Sequence, residues 1–329
     1  MCVKSPTNPR YNVKFVCLNE LQNYIIFNYK KKIMNWKKEI LPVYKKCLNF
    51  ASRGHGLGKT PIIRKIVKKT ESILKSDFAL VQGNKMFLDK WDALCLSING
   101  VYNEFDTKLV KEHVKSGDRV IDVGAHIGYF SLLFSKLVGE KGNVYSFEPE
   151  PKNIKLLKKN IMINNIQNIT LEPHPVSNTN ESCKLYVGQF TSGGNRMYRP
   201  DRIIELYEKE PINVQTLVLD NYFSKLELTD KIDFIKIDVE GSELRVLQGM
   251  SKILRESKNL KIFIEFMRDA LEDAGSDPEE LLNLLEKEGF TIYYVDDYKN
   301  KIIVADKNLL MTSDTHKTKT INLLCIKEV

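Results

Sequence analysis

Val120-Ile121-Asp122-Val123-Gly124-Ala125-His126-Ile127-Gly128 is an apolar run that ends through an acid in two glycines, directly before the helix-patterned YFSLLFSKL. Glycines at a strand-to-helix turn permit positive φ and let the backbone approach a ligand closely. A plain βα connection needs neither the acid at the strand end nor the second glycine. The segment therefore predicts a ligand-holding turn in an α/β fold.

The surrounding pattern agrees. Short apolar runs at 120–123, 144–147, 169–171, 234–237, 262–264, 291–295 and 321–326 alternate with helical stretches at 129–137, 153–163, 242–254 and 278–288. This alternation predicts βαβ units around a mostly parallel, doubly wound, Rossmann-like sheet. Residues 177–211 carry no clear core signal, and their Thr191-Ser192-Gly193-Gly194-Asn195 turn predicts a lid or substrate loop.

Charge divides the chain. Residues 1–75 hold 17 Lys and Arg against 3 Asp and Glu, a net +14, whereas residues 76–329 hold 33 against 39, a net −6. Residues 1–78 thus read as a basic, helical extension and 79–329 as the α/β domain. The stretch 21–44 sets Trp36 and Ile40 beside Lys30, Lys31, Lys32, Lys37 and Lys38, a composition suited to an anionic membrane surface. A solvated basic face is the alternative. No apolar run is long enough to span a bilayer, no signal-peptide pattern opens the chain, and the six cysteines are scattered without a C-x-x-C pair. The expected location is cytoplasmic, with peripheral membrane attachment open. Gly56-Leu57-Gly58-Lys59-Thr60 ends like a phosphate-binding loop, but Arg53 stands where its first glycine belongs and no strand leads into it.

The dinucleotide fingerprint G-x-G-x-x-G needs a second glycine at His126, so a nicotinamide cofactor is disfavoured. The D-x-G-x-x-x-G spacing instead suits the amino-acid arm of S-adenosylmethionine, with Asp122, Gly124, Ala125, His126 and Gly128 as candidate contacts. Glu148 ends the second strand, 20 residues past Gly128, where an acid can accept from both ribose hydroxyls. Asp238 ends the run FIKI, Glu240 follows at the turn, and Glu265 ends IFIE. Ligands of open α/β sheets lie beyond the carboxyl ends of the strands, so these three acids share a rim with the glycine turn and are the candidate catalytic residues.

Together, DVGAHIGYFSLLFSKL, YSFEPEP, VQTLVLD, IKIDVEGSE and IEF resemble the FkbM family of methyltransferases from about Met86 to Lys327. The resemblance implies a class I fold with a seven-stranded, mostly parallel sheet whose final strand is antiparallel. It also implies S-adenosylmethionine as cofactor and a hydroxyl acceptor on a sugar, glycolipid or related small molecule. Matched residue by residue, it assigns Gly124, Ala125 and Gly128 to the methionine arm and Glu148 to the ribose. It places Tyr102 and Glu104 as closing groups, and Asn164 and Ser177 near the adenine. The third strand departs from the family pattern, reading His174-Pro175-Val176-Ser177-Asn178, which leaves His174 as an open candidate for substrate contact.

Two ways of activating a hydroxyl stay open: proton acceptance by Asp238, Glu240 or Glu265, or a metal held by them. An all-carboxylate set suits Mg²⁺ rather than zinc. Nucleic-acid methylation is disfavoured, because Asp-Val-Glu-Gly stands where exocyclic-amine methylation needs a Pro-Pro-aromatic loop, and two carboxylates repel phosphate. A non-catalytic binding module is the remaining alternative.

Overall fold

The computed structural model describes residues 77–297, 299–312 and 320–327. The helix expected at 21–44, the glycine-rich stretch at 52–60 and the rest of the basic segment through residue 76 lie outside the described residues.

Strands β1 (Phe78–Val81) and β2 (Asn84–Phe87) form an antiparallel hairpin, followed by α1 (Leu96–Asn99) and α2 (Glu104–His113). The α/β body then runs β3 (Arg119–Val123), α3 (Tyr129–Val138), β4 (Asn143–Phe147), α4 (Pro151–Ile163) and β5 (Ile169–Glu172). An arm follows, with β6 (Ser182–Leu185), a 3₁₀ turn (Asp201–Leu206) and β7 (Ile212–Gln215). Next come α5 (Leu219–Lys225), β8 (Phe234–Ile237), α6 (Glu243–Gln248), α7 (Ser251–Glu256) and β9 (Lys261–Phe266). The chain closes with α8 (Arg268–Asp273), α9 (Pro278–Lys287), β10 (Phe290–Asp296), β11 (Lys301–Val304), α10 (Lys307–Thr312) and β12 (Ile321–Lys327).

The main sheet has the order β11-β10-β12-β9-β8-β3-β4-β5. Strands β5, β4, β3, β8 and β9 pair in parallel, and β12 runs antiparallel to both β9 and β10. Successive side chains of the central strands serve opposite faces. Ile121, Ile235, Ile262, Ile264 and Leu323 pack into the core under α5, α6, α7 and α9. Val120, Phe234, Phe263 and Leu324 pack into the core under α2 and α3. Both faces are covered, so these strands read as continuous apolar runs rather than as alternating ones. The doubly wound class I architecture expected from the sequence is therefore present.

Three details differ from the sequence reading. The sheet has an eighth strand, β11, pairing with the edge of β10. Its four residues KIIV are mostly exposed, so burial left little pattern to read. The helix expected at 242–254 breaks at Gly249 into α6 and α7. A Cβ on Gly249 would stand 2.2 Å from the Ser177 carbonyl oxygen, and the Asp220 carboxylate caps α7 through the N–H groups of Lys252 and Ile253 at 2.8 and 3.0 Å. Finally, the stretch 177–211 is an ordered arm, paired β6 to β7 and bridged between Tyr186 and Arg196 and between Gly188 and Tyr207. Among the described residues, no helix is long and apolar enough to cross a membrane.

Candidate functional site

The carboxyl ends of β3, β4, β8 and β9 open into a cavity of about 300 Å³. Gly124 at φ +83° and His126 at φ +51° bend the chain out of β3. A Cβ on Gly124 would meet the Asp238 carbonyl oxygen at 1.9 Å, so this turn and the end of β8 approach as closely as only glycine allows. The Gly124 and Ala125 N–H groups both donate to the Phe147 carbonyl at 3.0 Å.

Glu148 lies at the end of β4, 4% exposed. Its Oε2 accepts from the His126 N–H at 2.8 Å, and its Oε1 accepts from the Glu150 N–H at 2.9 Å and Asn153 Nδ2 at 3.2 Å. Burial raises its pKa to about 7, against the pull of those three donors. A carboxylate has about four acceptor positions. Three are taken, which leaves room for one further donor rather than the two ribose hydroxyls the sequence suggested.

Asp122 is fully buried beneath the turn, accepting from Ser131 Oγ at 2.6 Å, while its Oδ1 has no partner among the described residues. Burial raises its pKa, opposed by Lys236. Lys236, inward-facing on β8, places Nζ 3.0 Å from Asp238 Oδ2 and 4.9 Å from the Phe130 ring centroid. Burial would strip its proton, yet Asp238 and Asp122 outweigh that and raise its pKa.

Glu240 takes φ +54° in the turn after β8. Its Oε2 accepts from Arg196 Nη2 at 3.3 Å, and Arg196 Nη1 donates to the Tyr198 hydroxyl at 2.7 Å. Burial and the Asp238 charge raise Glu240 to about 7, against the lowering by Arg196. Glu243, in the first turn of α6, accepts from the N–H groups of Val239 and Gly241 and so fixes this loop. Among the described residues Glu265 Oε2 has no partner, and burial with Asp238 and Glu240 holds its pKa well above the ordinary carboxyl value. One oxygen each of Asp238, Glu240 and Glu265 lie within 4.8 Å of one another.

Tyr102 walls the cavity from the other side, its ring edge-on to Tyr129 and Phe130. Burial first, then Asp238 and Glu265, push its hydroxyl pKa upward. The Thr191–Asn195 turn closes another wall. Ser192 meets His126 Nε2 at 2.6 Å, and its carbonyl accepts from Asn153 Nδ2 at 3.0 Å. Burial drives the His126 pKa down to about 4, which favours the neutral ring there.

The structure thus gathers Tyr102, Asp122, Gly124, Ala125, His126, Glu148, Asp238, Glu240 and Glu265 around one cavity. Four expected contacts do not line it. Gly128 packs against α4, where a Cβ would meet Leu157 Cδ1 at 2.3 Å. Asn164 stitches α4 to the hairpin through the Lys85 N–H and carbonyl. Ser177 is buried, its N–H bonded to the Leu217 carbonyl, whereas its neighbours Pro175 and Val176 do line the cavity. Glu104 is the exposed first residue of α2. His174 is also off the wall, with Nδ1 3.0 Å from the Gln215 carbonyl oxygen. Sequence reasoning missed Lys236 and Arg196. A lysine inside a four-residue buried strand was a readable sign; Arg196 arrives from the arm and carried none.

Residues 122–292 match the family described as "Methyltransferase FkbM domain". Among curated proteins, the chain is similar to Methyltransferase 1 of Beauveria bassiana, 22% identical over 208 residues, covering 57% of this chain and 81% of that one. It is 26% identical over 185 residues to the hexuronic acid methyltransferase AglP of Haloferax volcanii, covering 55% and 66%. It is 30% identical over 156 residues to a probable cobalt-precorrin-6B C(15)-methyltransferase (decarboxylating) of Saccharolobus solfataricus, covering 43% and 73%.

Proposed function

The chain belongs to the FkbM methyltransferase family, an S-adenosylmethionine-dependent enzyme by that membership, and we propose that it methylates an oxygen of a sugar or sugar-containing acceptor. The observation that carries the acceptor chemistry is the cluster of Asp238, Glu240 and Glu265 at the strand ends, with Glu240 raised to about 7. An alcohol is a poor nucleophile until its proton has somewhere to go, and a base with a pKa near neutrality is matched to that transfer. The hexuronic acid methyltransferase of Haloferax volcanii supports a saccharide acceptor.

The cavity suits the cofactor on its own chemistry: a glycine turn, an aromatic wall at Tyr102 and Phe130, and a surplus of carboxylates facing a cationic sulfonium. In this reading Gly124, Ala125 and His126 border the amino-acid arm, and Glu148 offers its one remaining acceptor position to the ribose. S-adenosylmethionine supplies an electrophilic methyl group when bound. Asp238, oriented by Lys236, raises the basicity of Glu240 through its charge. Glu240 accepts the acceptor hydroxyl's hydrogen bond and takes its proton as that oxygen becomes the nucleophile; the methyl group would come to it from sulfur, which would keep the pair of the broken carbon–sulfur bond. Mg²⁺ on the three carboxylates is the competing activation. Unchanged turnover in EDTA is expected, and loss of turnover that Mg²⁺ restores would favour the metal instead.

The basic segment 1–75, at net +14, would suit a lipid-linked acceptor at an anionic surface. Salt-sensitive cosedimentation with anionic but not neutral liposomes, lost on deleting the segment, checks that role.

The central experiment offers saccharides bearing free hydroxyl and carboxyl groups to the purified protein with S-adenosylmethionine and reads the product by mass and fragmentation. Asp238→Asn should lower turnover by on the order of 10²-fold or more while S-adenosylhomocysteine affinity stays within a few-fold. A methyl group found on carbon, or wild-type turnover in the variant, refutes the oxygen-transfer mechanism.

A further inference from the structure

Trp91 and Phe190 meet edge to face, with ring centroids 6.1 Å apart and planes at 62°. They come from separate loops, and both are exposed, at 44% and 61%. Single exposed apolar residues are ordinary, but two aromatic rings presented together to solvent call for a ligand. Their position ties them to the cavity. Ala93 and Leu94 shortly after Trp91, and Thr191 and Ser192 directly after Phe190, line its wall, while neither aromatic ring does.

Both loops are held rigid. The Asp89 carboxylate accepts from the Trp91 N–H at 2.7 Å and the Ala93 N–H at 3.1 Å. Asp92 accepts from the Leu96 and Ser97 N–H groups at 2.9 and 3.0 Å. Asp92 and Cys95 sit at φ +50° and +51°, left-handed conformations that side-chain-bearing residues adopt at a cost, so the turn is kept in shape against local strain. Across from it, Gln189 donates from its backbone to the Leu206 carbonyl at 2.9 Å and from its side chain to the Tyr207 carbonyl at 2.5 Å. Asn195 Oδ1 accepts from the Gly188 N–H at 3.1 Å. Loop backbones braced before a ligand arrives lose little entropy on binding it.

We propose that Trp91 and Phe190 form a saccharide-stacking subsite beside the cavity, holding a pyranose ring of the acceptor next to the one that is methylated. One face of a pyranose is rich in C–H bonds polarised by the ring oxygens, and it packs on the negative face of an aromatic ring. Lys90 places its ammonium over one part of the Trp91 ring, 4.7 Å from the centroid, and helps to set the ring's orientation. The subsite rests on the saccharide reading above and adds to it that the acceptor has at least two sugar units.

The test uses the full-length protein with S-adenosylhomocysteine bound and three immobilised probes: maltotriose, cellotriose and a glucuronic-acid disaccharide. Wild-type protein is expected to bind at least one of them, and Trp91→Ala and Phe190→Ala each to weaken that binding by about ten-fold. Trp91→Phe should keep most of the affinity, and S-adenosylhomocysteine affinity and the melting temperature should stay unchanged in all three variants. Retention of full saccharide affinity by both alanine variants overturns the subsite, as does failure of the wild type to bind any probe. Loss of S-adenosylhomocysteine affinity in the folded alanine variants overturns it too, since the pair would then brace the cofactor cavity. Aromatic-dependent binding without methyl transfer to the bound sugar would leave the subsite standing and refute the saccharide-methylation reading.

Discussion

The main-chain carbonyl oxygen of Asp238 lies 1.9 Å from the point where a side-chain carbon on Gly124 would stand. The glycine turn after β3 and the acidic end of β8 are thus one packed unit, and the first cannot change shape without moving the second.

Gly124→Ala should therefore damage the site itself. The clash is with backbone, which cannot rotate away, and φ +83° adds about 1–2 kcal/mol of strain for any side chain. Gly128 also sits at positive φ, but a Cβ there meets the ends of Leu157 and Leu132, flexible side chains away from the cavity. Calorimetric titration with S-adenosylhomocysteine is expected to show at least about a ten-fold loss for Gly124→Ala. Gly128→Ala should lose melting temperature and keep most of its affinity. Equal affinity in both variants would remove the turn from the cofactor site.

The contrast between these glycines marks how far the sequence could be read. A buried parallel strand followed by glycines is a local pattern, so β3 and β8 were legible, and the carboxylates at strand ends followed from the α/β class. Gly128 looked identical to Gly124 because spacing cannot say whether a missing Cβ leaves room for a ligand or for Leu157. Asn164 and Ser177 were misplaced for a similar reason: their partners, Lys85 and Leu217, are set by tertiary packing. Arg196 and Phe190 were invisible because the arm is held by bridges between its own separated segments rather than by an apolar period. Lys236 was legible in principle, as a charge inside FIKI.

Turnover should depend on pH through Glu240. Burial and Asp238 raise its pKa to about 7, while Arg196 lowers it. A proton acceptor works only when deprotonated, so kcat/KM should climb as pH rises through about 7 and then level. Arg196→Met removes the lowering influence and should move the midpoint upward. Glu240→Gln should abolish the rising limb. A wild-type profile that is flat across neutral pH would exclude Glu240 as the proton acceptor.

Asp106 gives the protein a stability that falls with pH. The residue is 2% exposed on α2, its Oδ2 accepting from Asn322 Nδ2 at 2.8 Å and its Oδ1 without a partner among the described residues. Burial, helped by Asp297, raises its pKa from 3.8 to about 8 against Lys236 and Asn322. Because the folded value exceeds the unfolded one, the native state holds an extra proton between about pH 4 and 8. Folding is then favoured least at the alkaline end of that window, where the buried carboxylate must be charged. Glu148, Glu240 and Glu243, each raised to about 7, act in the same direction. Asp106→Asn keeps an oxygen for Asn322 and removes the charge. Its melting temperature relative to wild type should rise as pH goes from 5 to 8.5, with the variant the more stable at the upper end. An offset that stays constant across that range would show that Asp106 ionises as an ordinary surface aspartate.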